Sequence, residues 1–204
     1  MKKHLSLRLL SLLTRIFFWG TLVLIGIVMI IGIVIMTGKA QEVKLGIPSS
    51  LKLNREIIYL PDSPVKVEVE FETGSIKVPV RHLSNNIIWF VLSSTILALA
   101  CVAYIVFNFK KFMSRVLDGD TFSASTIQFL RNAAVGFFAM EVLGFIAETI
   151  GYFLIKQRFD LLDFNHPFTV SFPSLPIILA LVLWGLAHIF SKGKELEDEQ
   201  KLTV

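Results

Sequence analysis

Positions 16–36 and 87–107 each run for 21 residues without a charged side chain. A helix rises about 1.5 Å per residue, so such a run covers the roughly 30 Å of a hydrocarbon core. Peptide groups in lipid find no water, and a helix satisfies them within one segment. A third apolar stretch covers 130–153, broken by Arg131, Asn132, Glu141 and Glu148. A fourth, 177–190, follows Pro173 and Pro176 and is broken by His188. The pattern predicts an all-α membrane protein. Its four transmembrane helices fall at about 14–37, 86–108, 131–154 and 173–191.

A different period marks the connection 38–85. Val65, Val67, Val69 and Phe71 alternate with Lys66, Glu68, Glu70 and Glu72, and Ile76, Val78 and Val80 follow Thr73-Gly74-Ser75. Period-two alternation about a glycine-bearing turn predicts a β-hairpin over 65–80 with one apolar face, inserted between the first two helices. Ile57–Leu60 offers a third strand. A lone hairpin is marginal in water, so its apolar face is expected to rest on the helices, the membrane surface or a partner.

The connection 109–130 divides in two. Phe109, Phe112, Met113, Val116 and Leu117 recur at helical spacing beside Lys110, Lys111 and Arg115, as in a continuation of the second helix lying along the headgroups. Asp118-Gly119-Asp120 then breaks the pattern. Ser125 with Gln128 has the form of a capping box for the third helix, and Phe122 stands just ahead of it.

Composition agrees with lipid as the solvent: 204 residues, 54% hydrophobic, mean hydropathy +0.68 and 18 phenylalanines. The net charge of +4 fits basic flanks near anionic headgroups better than nucleic-acid binding. With four spans both termini share one side. Termini inside place eleven basic residues inside and nine outside, a weak bias. The first flank decides: Lys2, Lys3, Arg8 and Arg15 precede the first helix with no acidic residue among them. Both termini are therefore expected in the cytoplasm, with 38–85 extracytoplasmic and 192–204 a cytoplasmic acidic tail. The first run exceeds a signal-peptide core and lacks an A-x-A-like site, so it reads as a retained anchor.

Glu141 and Glu148 are the chemically notable residues, because a carboxylate at bilayer depth is costly unless paired, hydrated or protonated. They lie seven apart on one face. Ala134, Glu141, Gly144, Glu148 and Gly151 form a stripe of small and polar groups, and Ser94, Ala98, Cys101 and Asn108 form another on the second helix. Small residues allow close approach and polar ones bond across it, so both stripes are expected to face the bundle interior. The carboxylates either line a proton or cation path or act as structural glue toward Ser93, Ser94, Thr95 or Thr21. The glue reading is the simpler one. Cys101, the single cysteine, reads as a small packing residue.

No catalytic motif is present: there is no H-E-x-x-H, no G-x-S-x-G and no glycine-rich phosphate loop. His4, His82 and His166 are isolated, and Asp160, Asp163 and His166 give only a weak metal signal. Glycines 20, 26, 32 and 38 read as packing or flexibility positions. Neither enzyme activity, nor a cofactor, nor a metal is expected.

The chain ends Ile189-Phe190, then Gly193, Leu196, Glu199 and Leu202-Thr203-Val204 at fixed spacing. This resembles the tail of a family of small bacterial four-helix membrane proteins classified as a domain of unknown function. Gly119, Phe122 and Leu130-Arg131 match that family's positions ahead of the third helix, while Lys201 stands where it more often has an acidic residue. The resemblance covers chiefly 109–204. It implies no active site. It does imply a gene often set beside a small Cro-like helix-turn-helix regulator, and so a regulatory component of the cytoplasmic (inner) membrane. The partner-binding surface would join Phe122 and Arg131 to Gly193, Leu196, Glu199, Leu202, Thr203 and Val204. Glu195, Glu197, Asp198 and Glu199 suit a basic partner. The competing reading is a small transporter or permeation subunit using Glu141 and Glu148. Lipid and that regulator are the partners to expect, a homo-oligomer is open, and direct nucleic-acid contact is not expected.

Overall fold

A computed structural model of the chain describes residues 3–37, 43–48, 56–60, 63–72, 75–80, 83–159 and 175–202. Four helices carry it: α1 (Lys3–Met36), α2 (Asn85–Leu117), α3 (Ala124–Phe159) and α4 (Leu175–Leu202). Each is long and apolar enough to cross a membrane, as the hydropathy pattern requires. All four outrun the apolar stretches that define them. α3, at 36 residues, extends about 54 Å, well beyond a hydrocarbon core. Helix continues past the charge boundaries because Lys, Glu, Gln and Arg are good helix formers in water. α4 is the clearest case: the acidic stretch after Lys192 is helical as far as Leu202.

Between α1 and α2 lie β1 (Lys44–Pro48), β2 (Glu56–Leu60), β3 (Ser63–Glu72) and β4 (Ser75–Pro79). They form an antiparallel sheet in the order β1-β4-β3-β2. The expected hairpin is β3–β4, with Glu70 opposite Lys77 and Glu72 opposite Ser75. The offered third strand is β2, whose Ile58 pairs with Val67. β1 is new: it pairs with β4 so that Leu45 faces Val78 and Ile47 faces Ile76. Its five residues hold a single alternation, too short to stand out by period.

Contacts gather the chain into two compact units, 1–26 with 98–141 and 173–204, and 27–97 with 142–172. The second has its core beneath the sheet. Ile47 and Val78 are fully buried with Ile35, Leu83, Ile87, Ile88, Val91 and Leu92, and Tyr152 and Leu154 pack against them. Ile47 of β1 and Val78 of β4 thus pack on helix ends, one of the supports expected for an apolar face. Val80 N–H donates to Val43 O at 2.9 Å, and the Ser84 carbonyl accepts from Ile87 and Ile88 to start α2. A Cβ on Gly32 would meet Leu92 Cδ1 at 3.0 Å, so α1 and α2 approach closely there.

The first unit has its own core. Phe112 and Met113 of α2 are buried with Ile127 and Leu130 of α3 and Ala187 of α4, and Phe109, Val116, Leu183 and Phe190 close around them. The apolar face of 109–117 therefore packs on two helices instead of lying on headgroups. Neighbouring helices remove more apolar surface from water than a half-immersed position allows.

Ile47→Ala is expected to cost about 2–5 kcal/mol of stability, as large-to-small changes in tight cores do. Loss of amide-exchange protection across β1 and β4, with α4 unaffected, is the readout.

Candidate functional site

The connection between α2 and α3 is built from backbone hydrogen bonds. Gly119 has φ 84°, a conformation glycine adopts without strain. Gly119 N–H donates to Val116 O and Asp120 N–H to Arg115 O, closing α2 in a Schellman motif. Arg115 Nη1 also reaches Asp120 Oδ2 at 3.3 Å. The cap of α3 is Ser123, two residues ahead of the expected Ser125. Ser123 Oγ accepts from Thr126 N–H at 3.3 Å, and Thr126 Oγ1 donates to Asp120 O at 2.7 Å. Gln128, the expected box partner, donates instead to Asn132 Oδ1 at 2.9 Å. Ser123 wins because its residue i+3 is the fully buried Thr126, whose hydroxyl ties the cap to the preceding turn.

Phe122 leaves this turn toward α4. Its ring lies 5.7 Å from that of Phe190, edge to face, and Phe190 in turn lies 6.1 Å from Phe112. A Cβ on Gly193 would stand 2.9 Å from Phe122 Cε1, so the ring lies directly against the bare glycine and would have to shift for any side chain there. Two of the residues expected to form a partner surface are thereby brought together. Arg131 is half-buried on α3 and shows no direct contact with this cluster. Leu196 and Glu199 are exposed on α4, Leu202 ends that helix, and Thr203 and Val204 lie outside the described residues. Lys192 Nζ donates to Glu195 Oε2 at 2.6 Å on the solvent side.

Deeper along α2 and α3 a polar ladder crosses the helix contact. Asn132 Nδ2 donates to Asn108 Oδ1 at 3.3 Å, and Asn108 Nδ2 donates to Tyr104 O at 2.9 Å. Asn108 is 3% exposed, so its amide has exchanged solvent for these partners. One turn further, a Cβ on Gly136 would stand 2.6 Å from Ile105 Cγ1. Gly136 lies outside the stripe read from the sequence. The signal available was local: Ala133-Ala134-Val135-Gly136 is the densest cluster of small residues on α3.

The expected inward stripes hold only in part. Ala134 and Gly151 are buried and Glu141 and Glu148 half-buried, but Gly144 is exposed with open space where a Cβ would stand. On α2, Asn108 is buried, Ser94 and Cys101 are half-buried, and Ala98 is exposed. Small size alone does not bring a neighbour to a position, so Gly144 faces open space while Gly151 is buried. The hydroxyls expected to bond the carboxylates donate elsewhere. Ser93 gives its proton to Phe90 O, Ser94 and Thr95 to Val91 O, and Thr21 to Phe17 O, all at 2.8–3.0 Å. Such back-bonding satisfies a hydroxyl within its own helix. Glu141 makes no hydrogen bond or ion pair among the described residues. No group of three or more metal-ligating side chains gathers among the described residues, and Asp160, Asp163 and His166 lie outside them.

Gly136→Ala is expected to destabilise by about 1–3 kcal/mol through overpacking, whereas Gly144→Ala stays near neutral. Thermal unfolding in detergent distinguishes the two. Asn108→Ala strands the Asn132 amide and is expected to cost about 1–2 kcal/mol by the same measurement.

None of the curated proteins and none of the solved structures matches this chain. A family model described as Protein of unknown function (DUF2975) matches residues 73–204. That match takes in β4, α2, α3, the Phe122–Gly193 cluster and all of α4. The match spans well over half of a chain whose four helices are long and apolar enough to cross a membrane, and the chain belongs to this family of unknown function, DUF2975.

Proposed function

We propose that this protein is a regulatory component of the cytoplasmic membrane that binds a small soluble helix-turn-helix regulator, with both termini in the cytoplasm. The observation that carries the reading is the continuation of α4 through Leu202 as one helix, braced at its exit by Phe122 against Gly193. A solvated tail has no need of a brace. A braced helix presents Leu196 with Glu195, Glu197, Asp198 and Glu199 in a defined array, all of them exposed. An apolar anchor ringed by carboxylates complements a basic DNA-binding domain: opposite charge speeds encounter, and buried apolar area holds the complex. The basic flank of α1 supports the cytoplasmic placement. A small helix-turn-helix regulator encoded beside the gene, which the resemblance of the tail implies, is the partner to test.

Deleting 193–204 is expected to abolish co-purification of the regulator encoded beside this gene. Leu196→Ala with Glu195, Glu197, Asp198 and Glu199 changed to Gln is expected to weaken capture about tenfold or more while leaving membrane insertion intact. Unchanged capture by both variants sinks the reading. Reporters active on only one side of the membrane, fused at either terminus, are expected to agree.

A second reading rests on Glu141, half-buried in a membrane-spanning segment and unpaired among the described residues. As a permeation residue with Glu148, it gives a pH-dependent flux in proteoliposomes that Glu141→Gln and Glu148→Gln abolish without loss of folding. Flux unaltered by either change retires it.

A further inference from the structure

We propose that the cleft between α3 and α4 binds one acyl chain of an anionic phospholipid, whose phosphate is held by Arg131 and His188. The cleft has a volume of about 400 Å³ and only apolar residues line it. Ala134 and Ala180 are buried at its floor, where two small side chains leave space between the helices, and Val135, Phe138, Leu181 and Trp184 stand exposed at its rim. Small residues below and large ones above make a slot for a chain of methylenes. The slot lies wholly within helix segments apolar enough to cross a membrane, where acyl chains are the surrounding medium.

An apolar slot by itself cannot tell one lipid from another; its end can. Arg131 precedes Ala134 and Val135 by one turn, on the same face of α3. His188 follows Trp184 by one turn on α4. Leu130 shares a core with Leu183 and Ala187, whereas Phe138 lines the slot with Ile177, so the helices run antiparallel and both groups stand at the same end. Arg131 is half-buried and has no hydrogen bond or ion pair among the described residues. The neighbouring cations Lys192 and Arg115 are already paired with Glu195 and Asp120. A guanidinium offers five donors in a fork that fits phosphate oxygens, and a histidine ring adds another N–H. A second copy of the chain covers the slot less well. The carboxylates of α3 lie ten and seventeen residues deeper than Arg131, and those of α4 begin at Glu195, beyond His188.

The test uses the full chain with Trp19→Phe and Trp89→Phe, which leaves Trp184 as the sole tryptophan. It is reconstituted into vesicles of phosphatidylcholine and phosphatidylglycerol, with bromine on the acyl chains of one lipid or the other. Quenching of Trp184 is expected to report phosphatidylglycerol enriched about fivefold over its bulk fraction, the worth of one basic group near a headgroup. Arg131→Gln is expected to remove the enrichment, Arg131→Lys to keep most of it, and Ala180→Leu to weaken quenching by either lipid. Equal quenching by both brominated lipids with Arg131 in place means ordinary surrounding lipid and overturns the proposal. So does weak quenching by both lipids with energy transfer between chains, the sign of a second copy in the slot. Enrichment that persists in Arg131→Gln overturns the assignment of the phosphate.

Discussion

Lipid tails are as apolar as leucine, so removing a leucine from lipid into a helix contact gains little. Helices in a bilayer are therefore joined by close approach and by polar groups that find each other. α2 and α3 show both devices within a few residues. Gly136 lets Ile105 come within a distance that no side chain would permit, and the buried amide of Asn108 is met by Asn132. Gly32 against Leu92 does the same for α1 and α2 in the unit that carries the sheet. Where neither device is present, as at Gly20, Gly26 and Gly144, a glycine faces open space. Small size thus permits contact without producing it.

Beyond the apolar stretches the rules change, because water restores the hydrophobic effect. The first unit accordingly gathers its densest aromatic packing around the α2–α3 turn. Phe190 meets Phe112 on one side and the edge of Phe122 on the other, beside a turn in which a glycine closure and a serine cap satisfy peptide groups at two helix ends. The second unit buries Ile47 of β1 and Val78 of β4 against residues of α1 and α2. The contact of Phe122 with Gly193 joins this turn to α4 just where its acidic stretch begins.

The membrane plan is legible in the sequence because it depends on one local quantity, the length of an uncharged run. The hairpin is legible for a similar reason: period two is a local signal, and β3 with β4 follows from it. β1 left no such signal, since five residues carry too little periodicity and its place is decided by β4 alone. The cap of α3 went to Ser123 in place of Ser125 because the deciding residue, Thr126, is committed by a bond to Asp120 that local pattern does not contain. The stripe on α3 misled at Gly144, since spacing says which residues share a face and nothing of what lies opposite.

For the candidate site the division falls the same way. Phe122, Gly193 and the acidic residues after Lys192 stand out in the sequence as a motif, yet the contact of Phe122 with Gly193 depends on α4 lying beside the α2–α3 turn. The chain by itself determined that four segments cross lipid, where they are, and where charge gathers at their ends, since each of these follows from transfer free energies summed over neighbours in sequence. The tertiary structure alone decided which glycine is a contact, which amide is shared, and that the acidic end is a braced helix. Those depend on atoms supplied by a different helix, and no arrangement of residues along one segment encodes the position of another.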